Sequence, residues 1–104
     1  MIWETKQGDT RNALKATLTP VEGSLTDVDE VYFRMADKRY NNVIFRTVNI
    51  MDLPDVTVVF TEGEVEIPGS YYGEYKLVYD DGKIETVPKK GYIRITIHPN
   101  LEGS

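Results

Sequence analysis

A chain of 104 residues holds one ordinary domain, and 40% hydrophobic with 28% charged residues is the balance of a globular fold. Twelve Lys and Arg against 17 Asp and Glu leave a formal net charge of −5. No basic run exceeds Lys38-Arg39 or Lys89-Lys90, so nucleic acid and anionic membrane surfaces are poor partners. Cysteine is absent, which excludes disulfides and thiolate metal sites and fits folding in a reducing cytoplasm. No apolar stretch approaches the roughly 20 residues of a membrane helix, and none of signal-peptide type follows Met1.

Along the chain the dominant signal is alternation. Lys6-Gln7-Gly8-Asp9-Thr10 reads as a tight turn, because Gly8 permits a sharp bend and Asp9 or Thr10 can bond nearby amides. Leu14, Ala16 and Leu18 then alternate with polar neighbours, and a period of two places each set on one face of a strand. Pro20 to Ser24 is a turn, followed by the acidic loop of Asp27, Asp29 and Glu30. Val31, Phe33 and Met35 form the next apolar face. Asp37 to Asn42 is a turn in which Asn41-Asn42 tolerates left-handed backbone. Residues Asn42 to Ile50 are apolar on both sides, which predicts a strand covered on both faces or one carrying a bulge. Arg46 within it needs an exposed end or a partner.

Leu53-Pro54-Asp55 is the next turn, before Val56, Val58 and Phe60. Glu62, Glu64 and Glu66 alternate on the wet face of a strand or extended loop, and Pro68-Gly69-Ser70 closes that segment. Tyr75, Leu77 and Tyr79 lead into Asp81-Gly82, a dipeptide suited to a two-residue type I′ hairpin turn. That turn pairs Tyr79 with Ile84 and Leu77 with Thr86, and puts all four on the core face. Ile93, Ile95 and Ile97 form the last apolar row. Seven or eight short strands at this spacing predict an all-β antiparallel sandwich, a single domain over residues 1–98 with a short tail at 99–104.

Catalytic chemistry is not visible. The single histidine, His98, ends the last strand, with no nucleophile or orienting carboxylate identifiable beside it. One histidine and no cysteine cannot make a zinc site, and the Asp27–Glu30 cluster lacks the spacing of a calcium loop. No cofactor is expected. Tyrosine is abundant, at seven residues, three of them in Ser70-Tyr71-Tyr72-Gly73-Glu74-Tyr75. Tyr75 and Tyr79 belong to the core. Tyr72 points to the opposite face, where a rigid amphipathic ring suits contact. The candidate contact surface is Trp3, Tyr71, Tyr72, Asp27 and Asp29, with Trp3 equally a core plug.

The order of these pieces resembles the N-terminal domain family of phage baseplate upper proteins. The matching segments are Lys6-Gln7-Gly8-Asp9-Thr10, Val31-Tyr32-Phe33-Arg34-Met35, Val43-Ile44-Phe45, Gly69 to Tyr75, Asp81-Gly82, Thr86-Val87-Pro88 and Gly91-Tyr92-Ile93. The resemblance implies an immunoglobulin-like sandwich, also similar to the shoulder domain of some phage receptor-binding proteins. It further implies a non-enzymatic virion structural protein, an adaptor at the tail tip or baseplate made in the host cytoplasm and partnered by other tail or baseplate proteins. The alternative read from the tyrosines themselves is a module that binds carbohydrate or a host cell-wall glycan.

Overall fold

The computed structural model describes residues 1–101, and its eight strands form two sheets. They are β1 (Ile2–Lys6), β2 (Leu14–Thr17), β3 (Val28–Asp37), β4 (Asn42–Val48), β5 (Asp55–Val58), β6 (Gly69–Tyr79), β7 (Ile84–Val87) and β8 (Ile93–His98). Short 3-10 turns at Leu25–Asp27 and Glu62–Val65 are the only helical elements among the described residues. The larger sheet runs β1-β8-β6-β3-β4. β8 pairs with Gly69–Gly73 of β6, and β7 pairs with Tyr75–Val78, so the two lie end to end along one edge of that long strand. β2 and β5 make the smaller sheet. Every pairing is antiparallel except β1 with β8. The fold is the expected all-β sandwich.

Period-two alternation builds the core. Val31, Phe33, Met35, Tyr75, Leu77, Ile93, Ile95 and Ile97 project from the larger sheet onto Leu14, Val56 and Val58 of the smaller one. Leu18, Phe60 and Val65 close the rim. Phe33 lies between Phe60, edge-on at 6.0 Å, and Tyr75 at 5.4 Å. Burying each such side chain contributes roughly 1.5–3 kcal/mol. Tyr75 and Tyr79 are core residues as expected. Burial pushes the Tyr75 hydroxyl up to about 12.

For β4 the bulge alternative holds, and two other expectations are corrected. β4 is covered only on its inner face, leaving Val43 and Phe45 about half exposed. It does carry a bulge: Met35 faces Ile44 and Ala36 faces Asn42, so Val43 is the extra residue. Arg46 points inward and finds its partners there, donating to the Val59 carbonyl and lying 3.4 Å from Glu64. Glu62–Val65 is a 3-10 turn that Glu66 caps, not a strand. The Glu64 carboxylate accepts the Thr61 N–H at 2.8 Å, which fixes that turn and sends Val65 into the core.

The second correction is the register of the β6–β7 hairpin. Tyr79 N–H donates to the Lys83 carbonyl and Gly82 N–H to the Tyr79 carbonyl, enclosing a three-residue loop, Asp80-Asp81-Gly82. Gly82 adopts φ 84°, the left-handed position such a loop ends on. Val78 therefore faces Ile84, and Leu77 faces Glu85. One residue of shift turns Ile84 and Thr86 to solvent and brings Glu85 and Val87 inward. Past His98, Asn100 remains bonded to the β1–β2 turn. Asn100 donates its side-chain amide to the Gln7 carbonyl at 3.1 Å, and positions 102–104 of the expected tail lie outside the described residues.

Candidate functional site

The outer face of the larger sheet collects the residues that the core alternation leaves over. Tyr32, Arg34 and Ala36 of β3 lie beside Lys76, Glu74 and Tyr72 of β6, rung by rung. Tyr72 in turn faces Arg94 of β8, and Arg34 faces Phe45 of β4. At one end of this face three tyrosines from separate parts of the chain meet. Tyr72 comes from mid-β6, Tyr92 from just ahead of β8, and Tyr40 from the β3–β4 turn.

Tyr40 is placed by its turn. Asp37 Oδ1 accepts the N–H groups of Arg39 at 2.9 Å and Asn41 at 3.0 Å, and Tyr40 N–H donates to the Asp37 carbonyl at 2.9 Å. The Asn41 N–H is the main cause that holds the Asp37 carboxyl below its ordinary range. Tyr40 itself sits at φ 64°, a left-handed conformation that a bulky side chain rarely takes. Such a conformation costs of order 1–3 kcal/mol and persists where the surroundings impose it. Here it brings an aromatic ring, 64% exposed, against two others.

The ring centroids are 5.8 Å apart for Tyr40–Tyr72, 4.9 Å for Tyr72–Tyr92 and 6.2 Å for Tyr40–Tyr92. The first pair is near parallel at 18°, while Tyr92 is tilted by 37° and 48° to the other two. Ala36, small and on the same rung as Tyr72, sits with Arg34, Asn42 and Glu74 around a shallow depression of about 120 Å³ beside the rings. Arg34 is 3.7 Å from Glu74 and lies over the Phe45 ring at 5.2 Å, and its Nε has no hydrogen-bond partner. Tyr32 stacks on Phe45 at 5.2 Å, with Lys76 over the Tyr32 ring, so the aromatic strip continues across the sheet.

Of the residues expected on a contact surface, Tyr72 is on this face. Tyr71 is not: it points inward, is 9% exposed, and donates its hydroxyl to the Ile67 carbonyl at 2.7 Å. Trp3 is the core plug, stacked on Phe60 at 5.0 Å with its indole N–H donating to the Ala13 carbonyl. Asp27 and Asp29 are exposed, but they lie where β3 runs beside Val78 and Tyr79, at the far end of the sheet from Tyr72. Tyr40, Tyr92, Arg34 and Glu74 were missed. The alternation from Tyr92 to Ile97 already turned Tyr92 away from the isoleucines. Its meeting with Tyr72 depends on the β6–β8 pairing, which no local pattern announces.

His98 is an exposed strand-end residue whose Nε2 lies 3.0 Å from Glu4 Oε1. Among the described residues no three His, Cys, Asp or Glu side chains stand close enough to hold a metal ion. A second polar cluster surrounds Glu85, which faces the Pro20–Ser24 turn.

No protein-family model matches the chain, and no curated protein matches it. Among solved structures, CopC from Methylosinus trichosporium OB3b is similar, with a TM-score of 0.57 and 18% identity over 94% of this chain and 86% of that one. The likeness is one of fold. The function expected from the baseplate resemblance is corrected here, because the solved structure found to be similar is CopC and not a tail component.

Proposed function

We propose that the chain is a non-catalytic binding module whose contact surface is the outer face of its larger sheet. The observation that carries this reading is the convergence of Tyr40, Tyr72 and Tyr92 at 4.9–6.2 Å on a solvent face. Rigid aromatic rings left in water cost solvation without contributing to the core, and they are the residues that dominate binding energy when covered. The backbone strain at Tyr40 points the same way, since strain concentrates at ligand sites.

Copper handling, which the CopC likeness raises, finds too few ligands here. The histidine stands with one carboxylate, cysteine is absent, and Met35 is buried in the core while Met51 lies exposed on a turn. Among the described residues the side chains do not fit the metal.

The test is to screen the protein and a Tyr72→Ser variant side by side against peptide, oligosaccharide and oligonucleotide arrays. A ligand retained by the first and lost by the second, with melting temperature preserved, supports the reading. A ligand held equally by both overturns it.

A further inference from the structure

We infer that the outer face takes a second copy of this chain, turned over about a twofold axis that runs along the strands between β3 and β6, an inference that rests on the binding-module reading. A twofold contact must complement itself, because residues on one side of the axis meet those of the other side from the partner. β3 and β6 are neighbours in the sheet. The rotation therefore sets each outward β3 residue against the residue it already faces across the ladder, now on the other copy. Those rungs are Ala36–Tyr72, Arg34–Glu74 and Tyr32–Lys76. Each is a complementary pair: a small residue against a ring, a guanidinium against a carboxylate, an ammonium against an aromatic face. Within one chain two of them already interact, with Arg34 3.7 Å from Glu74 and the Lys76 ammonium 5.9 Å from the Tyr32 ring centre.

The flanking strands continue the match. The same rotation lays β4 of one copy over β8 and β7 of the other. Phe45 stands on the Arg34 rung. Gly73 faces Ile93, so Tyr92, one residue earlier, extends the Glu74 rung. Phe45, 51% exposed, thus meets Tyr92, 41% exposed. Thr47 and Thr86 end the Tyr32–Lys76 rung on its two sides, and they meet as hydroxyls that each donate and accept. Across these rungs no like charges come together.

Charge and area agree with that occupant. On the outward rungs of β3, β4, β6 and β8, the three cations Arg34, Lys76 and Arg94 stand against the two carboxylates Glu30 and Glu74. The face is therefore at +1 in a chain of −5, which leaves −6 on the rest. Two copies repel wherever else they meet, and this face is where they approach without that cost. Five strands lie abreast, and β6 has 11 residues. At roughly 4.8 Å between strands and 3.3 Å along them, and with shorter edge strands, the face covers roughly 700 Å². A specific interface takes roughly 600–1,000 Å² from each partner, and sheets packed face to face are an ordinary way to bury it.

The experiment is sedimentation velocity from low micromolar to half-millimolar protein. The parent chain should pass from monomer to a species of twice the mass. Arg34→Glu alone sets carboxylates against each other across the axis, and Glu74→Arg alone sets guanidiniums against each other. Each should weaken self-association about tenfold or more. An equimolar mixture of the two variants should recover a dimer, because both contacts between unlike chains are again of opposite sign. Phe45→Ser/Tyr92→Ser, at two exposed positions, should weaken the dimer as well, and it decides the matter if a charge variant fails to fold. A parent chain that stays monomeric at half-millimolar overturns the second-copy inference and leaves the binding-module reading to its ligand screen. A dimer that these variants leave intact, or a mixture that stays monomeric, also overturns it.

Discussion

The Glu85 carboxylate accepts the phenolic hydrogen of Tyr79 at 2.7 Å and, on the same side chain, the backbone N–H groups of Val21, Glu22 and Gly23 at 2.8, 3.1 and 3.1 Å. One side chain thus pins the Pro20–Ser24 turn onto the β6–β7 hairpin. Burial, and then the bond to Glu85, push the Tyr79 hydroxyl up to about 12. The Tyr79 hydroxyl, then the amides, draw the Glu85 carboxyl down to about 2 from 4.5.

A carboxylate lowered in the fold contributes stability that is full above its ordinary value and is lost as pH falls toward its folded one. For Glu85 that window runs from 4.5 to about 2. Melting temperatures recorded from neutral pH downward should therefore fall through this window. Glu85→Gln should melt about 5 °C lower at neutral pH. It should also show a shallower decline below 4.5, because the titrating group is gone. Parallel curves for the two proteins would refute the latch.

Gly23 is the tightest point of the same contact. A Cβ built there would lie 2.3 Å from both Cζ and the hydroxyl oxygen of Tyr79. The ring is 8% exposed and hydrogen-bonded, so it cannot swing aside freely. Gly23→Ala should destabilise by about 1–3 kcal/mol, the usual cost of overpacking. Because it disturbs the contact that Glu85→Gln also breaks, the double variant should lose less than the sum of the two. Urea denaturation of the four proteins measures this, and strict additivity would argue that Gly23 and Glu85 act separately.

The Glu85 latch shows where sequence reasoning stopped. Asp81-Gly82 signals a tight turn in either register, because both loops need a left-handed glycine. The alternation of Tyr75, Leu77 and Tyr79 fixed one strand, but Ile84-Glu85-Thr86-Val87 has an apolar residue at each end of opposite faces. Only the tertiary contact of Glu85 with the Val21–Gly23 amides separates the two registers. The binding face divides the same way. Tyr72 was legible because its neighbours Tyr71 and Gly73 to Tyr79 set the face. Tyr40 was not, because a left-handed tyrosine in a turn breaks the preference for Asn at that role, and Asn41-Asn42 stands right beside it as the favoured candidate.

Arg46 offers a test of the free edge of β4, which pairs with β3 alone in the larger sheet. Its inner row is Ile44, Arg46 and Val48, and an inward charge on an edge strand discourages pairing with another chain. The guanidinium bonds the Val59 carbonyl, lies near Glu64, and covers the Phe60 ring at 6.0 Å. Arg46→Val makes that row wholly apolar on a strand already rich in β-branched and aromatic residues. Sedimentation velocity over a concentration series should show self-association beyond that of the parent protein. Identical sedimentation at every concentration would remove the protective role.

Tyr40 separates structure from function most cleanly. If its ring were there for the fold, removing it would cost stability. The ring is 64% exposed, however, and its backbone at φ 64° is one that asparagine adopts far more readily. Tyr40→Asn removes a strained conformation worth of order 1 kcal/mol while giving up packing against Tyr72 and Tyr92 that is largely open to water. The melting temperature should therefore be equal to or above that of the parent protein, while affinity for a ligand on the outer face falls. Selection for folding alone would have no reason to keep tyrosine there. A clear loss of stability in Tyr40→Asn, measured by thermal and urea denaturation together, would show that the ring serves the turn and not a ligand.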